Sequence, residues 1–296
     1  MMSFPGLQNI RIDSVQALSN SYTSFDVLRL DLVHPVISGN KYFKLKKYLH
    51  HAKVLGKNKV LSFGGAWSNH IVATAAAAKE NHLKSIGIIR GERPAILSPT
   101  LKDAEAFGME LHFISRHDYQ QNRPSIASGF PDCYVIEEGG YGKYGALGAK
   151  EILDEIERRK QYTHIIIGVG TGTTLAGIAM GMERNQKAVG ISVMKNNYSL
   201  QDAVCSLSGK DRNDFEIIHE YHFGGYAKHD PALVLFMNQW YEATGIPSDF
   251  VYTGKLFYAV NDLIGSNYFP LDSKILVIHS GGLQGNRSLK KGTLIF

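Results

Sequence analysis

His164-Ile165-Ile166-Ile167-Gly168-Val169-Gly170-Thr171-Gly172-Thr173-Thr174 is the stretch that decides the fold class. Its β-branched run reads as a buried strand, and the glycines end that strand. A helical pattern follows from 174 to 182. A strand passing through a glycine-rich turn into a helix is the building unit of a parallel sheet. Glycines let backbone N–H groups come close to an anion. The helix N-terminus adds partial positive charge and the threonines add hydroxyl donors, so residues 170–174 form a phosphate cup. The plainer alternative is a tight turn with no ligand. Gly170, Gly172 and Ala176 fit a loose dinucleotide fingerprint, which keeps a nicotinamide oxidoreductase as a reading from another class. The next strand, however, ends near Lys195 with no acid to meet a ribose hydroxyl. No Gly-Lys-Ser/Thr is present to make a nucleotide P-loop.

The same alternation continues on both sides. Residues 25–32, 60–63, 85–89, 111–114, 134–136, 189–193 and 274–278 read as strands. Residues 40–55, 68–80, 98–107, 148–160 and 232–243 read as helices. Leu45, Tyr48, Leu49, Ala52 and Leu55 give the first of these its apolar face. Ser98 caps the third and Gly108 stops it. This order predicts an α/β chain with doubly wound parallel sheets, in which ligands sit beyond the carboxyl ends of strands.

Four more loops carry candidate chemistry. Ser38-Gly39-Asn40-Lys41 places a lysine where a loop enters a helix; alone, such a lysine is most often a solvated charge. Gly64-Gly65-Ala66-Trp67-Ser68-Asn69-His70 offers Ser68, Asn69 and backbone N–H groups to a carboxylate, although Ser68 also suits a plain helix cap. Its spacing lacks the second glycine of a serine-hydrolase elbow. Val251-Tyr252-Thr253-Gly254-Lys255 precedes a helix. His279-Ser280-Gly281-Gly282-Leu283-Gln284-Gly285 follows a strand. His219 and His222 do not have the spacing of a zinc-binding helix, and no metal site is expected.

Bulk properties narrow the class. The chain has 296 residues, 44% hydrophobic and 20% charged, enough for one large α/β unit or two domains. Its formal charge of +5 is spread out, apart from Lys44-Leu45-Lys46-Lys47 and Lys290-Lys291, so no nucleic-acid partner is expected. The two cysteines, Cys133 and Cys205, lie far apart and suggest a reducing cytoplasm rather than a disulfide framework. Residues 1–11 contain no basic segment followed by an apolar one, so no secretory leader is expected, and no run is long enough to span a bilayer.

Taken in order, these segments resemble the 1-aminocyclopropane-1-carboxylate (ACC) deaminase and D-cysteine desulfhydrase group of pyridoxal-phosphate (PLP) enzymes, of the tryptophan-synthase β-like fold (fold type II). The resemblance rests on Gly39-Asn40-Lys41 with Lys44-Leu45, on residues 64–70, on Glu138-Gly139-Gly140, on the cup at 170–174, on Tyr252-x-Gly254-Lys255 and on Gly281-Gly282. It implies a large domain of residues 1–43 and 146–296, a small mobile domain of residues 44–145, and a homodimer. It also implies an amino-acid substrate. Lys41 would form the Schiff base with PLP and later move the Cα proton. Ser68 and Tyr252 would share the catalytic work, Tyr252 lying against ring and substrate. Asn69 would meet the ring hydroxyl. Ser68, Asn69 and His70 would bind the substrate carboxylate. Gly170, Thr171, Gly172, Thr173 and Thr174 would hold the phosphate.

Two positions separate the group's activities. Its deaminases are expected to carry Glu after the tyrosine and Leu before the last Gly-Gly, whereas its desulfhydrases carry small hydroxyl residues. Thr253 and Ser280 stand here, near the expected ring nitrogen, and a neutral hydroxyl there gives a weaker electron sink than a carboxylate. The resemblance therefore predicts β-elimination of D-cysteine, with ACC ring opening as the alternative. Phe43, Leu30 and Thr173 depart from the group's usual residues.

Overall fold

A computed structural model describes residues 4–19 and 24–296. The elements in chain order are β1 (Ile12–Gln16), β2 (Ser24–Arg29), α1 (Asn40–Val54), β3 (Lys59–Gly64), α2 (Asn69–Glu80), β4 (Lys84–Arg90), α3 (Pro99–Ala106), β5 (Met109–Ile114), α4 (Arg116–Gln121), α5 (Arg123–Ser128) and β6 (Cys133–Ile136). There follow α6 (Lys143–Lys150), β7 (His164–Val169), α7 (Thr173–Met180), β8 (Lys187–Ser192), α8 (Leu200–Ser208), β9 (Phe215–Ile218), α9 (Pro231–Thr244), α10 (Thr253–Gly265) and β10 (Ile275–His279).

Two sheets result. The larger has the order β1-β2-β10-β7-β8-β9 and draws on both ends of the chain. The smaller, β5-β4-β3-β6, comes from one continuous stretch. Every pairing is parallel except that of edge strand β1, which runs antiparallel to β2. The large sheet is covered on both faces, which explains the unbroken apolar run of β7. Ile165 and Ile167 meet Ala146, Leu175 and Ile178 of α6 and α7 on one side. Ile166 joins Trp240 and Phe257 of α9 and α10 on the other. Trp240 and Phe257 stack at 4.6 Å and are fully buried. Burying an apolar side chain of this kind contributes about 1.5–3 kcal/mol.

Two sequence expectations are corrected. The strand expected over 25–32 ends at Arg29, and residues 30–32 form a 3-10 turn. Buried Arg29 fixes that corner by gripping Asp31 at 2.7 and 2.8 Å and Asp13 at 2.9 Å. The helix expected over 148–160 is instead α6, which begins earlier and passes at Glu151 into a 3-10 turn. Gly145 and Gly148 make that segment a poor helix by propensity, but their lack of side chains lets α6 pack closely on α1, and packing prevails.

Candidate active site

The carboxyl ends of β4 and β7, the loop after β10 and the first turns of α1, α2 and α7 face one cavity of about 870 Å3 between the two sheets. Open parallel sheets bind ligands at this place.

Lys41 sits in the first turn of α1. The turn before it is pinned by Gly39 N–H to the Leu30 carbonyl (3.0 Å) and by Asn40 N–H to the Ser280 carbonyl (3.3 Å). Gly39 has φ +65°, and a Cβ there would lie 1.8 Å from the Ser280 oxygen, so only glycine allows the two loops to touch. Asn40 Nδ2 then donates to Thr174 Oγ1 at 2.8 Å, which ties the lysine turn to the glycine–threonine loop although 134 residues separate them. The Lys41 and Lys44 amines lie 3.5 and 3.3 Å from one acceptor, the Gly139 carbonyl. Among the described residues neither has a carboxylate partner. Burial pushes the Lys41 amine down to about 8. Burial and the charge of Lys41 lower Lys44 further. An amine that loses its proton near neutral pH is a competent nucleophile.

Opposite stands the loop of residues 170–174. Gly172 caps α7 with no side-chain hydrogen bond, so the helix presents its first N–H groups to an anion. Thr171 and Thr173 face each other, hydroxyl to hydroxyl, at 3.0 Å. Lys41, Gly170, Thr171, Gly172, Thr173 and Thr174 all line the one cavity.

Ser68, Asn69 and His70 line it as well. Ser68 caps α2 by accepting the Ile71 N–H at 3.3 Å. Asn69 Nδ2 donates to the Gly282 carbonyl at 2.9 Å, while its Oδ1 is buried with no partner among the described residues. Tyr252 lines the cavity, and so does Ser280. Thr253 is turned away. Its fully buried hydroxyl donates to Asp249 Oδ1 at 2.9 Å and accepts the Asp249 N–H at 2.7 Å, so its position gives no support to a contact with the cofactor ring.

Three residues were not predicted. Asp249 is fully buried and accepts the N–H groups of Val251, Tyr252 and Thr253, which fixes the turn that carries Tyr252. Burial pushes its carboxyl up against the pull of those donors. Lys255 is also fully buried and donates to the carbonyls of His222 (2.9 Å) and Gly225 (2.8 Å). That clamp holds the loop bearing Tyr226, whose ring meets Tyr252 edge-on at 6.0 Å over the cavity. The lysine of Tyr-x-Gly-Lys and the aspartate three residues before the tyrosine were the available signals. Nothing in the local sequence marked Tyr226.

The residues present fit PLP. They combine an easily deprotonated amine, an anion cup joined to it by Asn40, and a buried acceptor with no partner among the described residues, Asn69 Oδ1, available to a ring hydroxyl. Among the described residues no group of three His, Cys, Asp or Glu side chains is placed to hold a metal, and no helix is long and apolar enough to cross a membrane.

Two parallel-sheet units around an amine-and-anion cleft define a cofactor-dependent enzyme of fold type II. The chain belongs to the pyridoxal-phosphate dependent enzyme family, whose profile matches residues 18–281, and PLP is its cofactor. A Pyrococcus horikoshii protein that carries the provisional name 1-aminocyclopropane-1-carboxylate deaminase is 30% identical over 279 residues, covering 88% of this chain and 84% of its own. A D-cysteine desulfhydrase of Salmonella typhi is 26% identical over 282 residues, 86% of each chain. The crystal structure of an ACC deaminase homologue superposes with a TM-score of 0.82 at 26% identity, covering 94% of this chain and 90% of that one. The protein is thus a PLP-dependent enzyme of the ACC deaminase and D-cysteine desulfhydrase group, acting on a small amino-acid-type substrate.

Proposed function

We propose that this enzyme deaminates 1-aminocyclopropane-1-carboxylate, consuming water and releasing 2-oxobutanoate and ammonia. The observation that carries the reading is the pair of amines, Lys41 and Lys44, on one carbonyl in the cavity. This substrate has no hydrogen on Cα, so opening its ring calls for proton transfer at a neighbouring carbon. A second amine beside the cofactor lysine supplies a base there. Thr253 gives no support to D-cysteine as substrate, because its hydroxyl is committed to Asp249. The relative with the deaminase name is also the more similar of the two compared.

When bound through Lys41, PLP withdraws electrons from the bonds at the substrate's Cα. The chain supplies the rest. The N-termini of α2 and α7 orient the substrate carboxylate and the cofactor phosphate respectively. Tyr252 and Tyr226 wall the cavity. The Lys41 amine, once released, accepts or returns a proton. Ser280, a hydroxyl in the cavity, favours a second reading, loss of sulfide from D-cysteine to give pyruvate and ammonia. The test is a side-by-side assay of PLP-loaded protein. Faster 2-oxobutanoate formation from ACC than sulfide release from D-cysteine is expected. The reverse order, or no keto acid from ACC, overturns the proposal.

A further inference from the structure

His70 lines the cavity as a nearly fully buried side chain. Its Nε2 lies 2.9 Å from Ser62 Oγ on β3. Ser62 Oγ lies 2.8 Å from the Ile136 carbonyl, on the residue paired with Ser62 in the β3–β6 ladder. A serine hydroxyl has one proton. Two oxygens 2.8 Å apart in a fully buried place need that proton between them, because bare they would repel. The hydroxyl is therefore spent on Ile136, and Ser62 can only accept from the ring. His70 must then carry its proton on Nε2, leaving Nδ1 as a bare lone pair. Among the described residues, Nδ1 is buried and makes no hydrogen bond.

We propose that Ser62 is a positioning residue that locks His70 in the Nε2–H tautomer, so that Nδ1 serves the active site as an acceptor for an amine and not as a grip for the substrate carboxylate. A lone pair facing a carboxylate is repulsive, and only a donor satisfies it. The donor at hand is an amine. Gly140, at φ +69°, leaves open a space in which an added Cβ would meet Lys44 Cδ at 3.2 Å and His70 Cε1 at 3.5 Å, so imidazole and lysine stem border the same small gap. Among the described residues Lys44 has one acceptor, the Gly139 carbonyl, and that acceptor is shared with Lys41. A second acceptor on His70 leaves the shared carbonyl to Lys41. Burial and the two lysine charges also hold the imidazole well below its ordinary range, against the opposing pull of the Glu137 backbone carbonyl, which keeps it neutral. The tautomer stands without any reaction. Only its consequence for the amine pair rests on the reading of Lys41 as the PLP lysine.

The test reads the ring itself. Protein labelled with 15N in the histidine rings is examined without added PLP at neutral pH, and the His70 signals are assigned by their loss in His70→Asn. A protonated Nε2 and an unprotonated Nδ1 are expected, with this preference lost in Ser62→Ala. A proton on Nδ1, or a doubly protonated ring, overturns the assignment in the unaltered protein, whether or not any variant folds. Two substitutions test the role. Asn can place an acceptor where Nδ1 stands, and Gln reaches toward Ser62 instead. His70→Gln is expected to lose about tenfold more kcat/KM than His70→Asn, in line with one lost hydrogen bond. Equal losses overturn the acceptor role. An intact tautomer in an enzyme that does not act on ACC would count against the proposed substrate only.

Discussion

Asn69 Nδ2 and the Gly282 carbonyl stand 2.9 Å apart, a hydrogen bond from the start of α2 to the loop beyond β10 that joins the two sheets across the cleft. One half of the amide is engaged in holding the walls together. The other half, Oδ1, is left for a ligand. Replacing Asn69 with Ala removes both. PLP affinity is expected to fall about tenfold or more, the cost of one to two buried hydrogen bonds. Titration of the apoenzyme followed by absorbance checks this, and unchanged affinity would remove Asn69 from the cofactor site.

Lys41→Ala should give a colourless protein that borohydride no longer couples to PLP. In the unaltered apoenzyme the amine is lowered from 10.5 to about 8 by burial. The neutral form is the one that attacks an aldehyde. PLP capture should therefore accelerate as pH rises toward about 8 and level off above it. Stopped-flow absorbance over that range measures the profile. A rate still climbing steeply at pH 10 would mean an unperturbed lysine.

Lys255→Met keeps the volume but leaves the carbonyls of His222 and Gly225 without their donor. A loss of about 1–3 kcal/mol in stability is expected, together with a drop in kcat/KM larger than the change in PLP affinity, because the loop it secures carries Tyr226 and not the phosphate cup. Urea denaturation and steady-state kinetics give the two numbers. Equal losses in cofactor affinity and turnover would assign Lys255 to the cofactor instead.

Asp249→Asn replaces one of two accepting oxygens with an N–H₂ group that confronts backbone donors. Oδ2 accepts from Val251 and Tyr252, and Oδ1 from both groups of Thr253. About 2–3 kcal/mol of stability is expected to be lost, the scale of hydrogen bonds to a charged acceptor. Thr253→Val should cost less, since it removes one of the four donors. If Thr253→Val instead changed the visible spectrum of the bound cofactor, its hydroxyl would belong to the ring environment after all.

The sequence made the central strands and the cup plain, because β7 and β10 are buried on both faces and so read as apolar runs closed by glycine. The edge strands β1 and β9 were hidden. Ile12-Asp13-Ser14-Val15-Gln16 is short and mixed in character, and only its pairing with β2 makes it a strand. Helix α6 was misplaced because the glycines that let it pack are those that local propensity counts against it. At the site, residues 170–174 stood out as a glycine–threonine turn after a strand, whereas Lys41 drew attention only in company with that turn. The direction of the Thr253 side chain was not, since it depends on a carboxylate four residues earlier whose only signal was its type. The single proton of Ser62, which decides how His70 can act, becomes visible only when the Ile136 carbonyl is placed beside it.

β10, the last strand in chain order among the described residues, lies in the middle of the large sheet, between β2 and β7. A chain halted on the ribosome before Ile275 has neither the wedge that spaces those two neighbours nor the turn that receives Gly39. Synthesis must then pass residue 282 before the amine-bearing turn and the anion-binding turn can come together. The four-strand unit, continuous in sequence, is free to fold well ahead of it, so newly made protein should pass through a half-built stage whose cofactor site matures only once β10 has joined the large sheet.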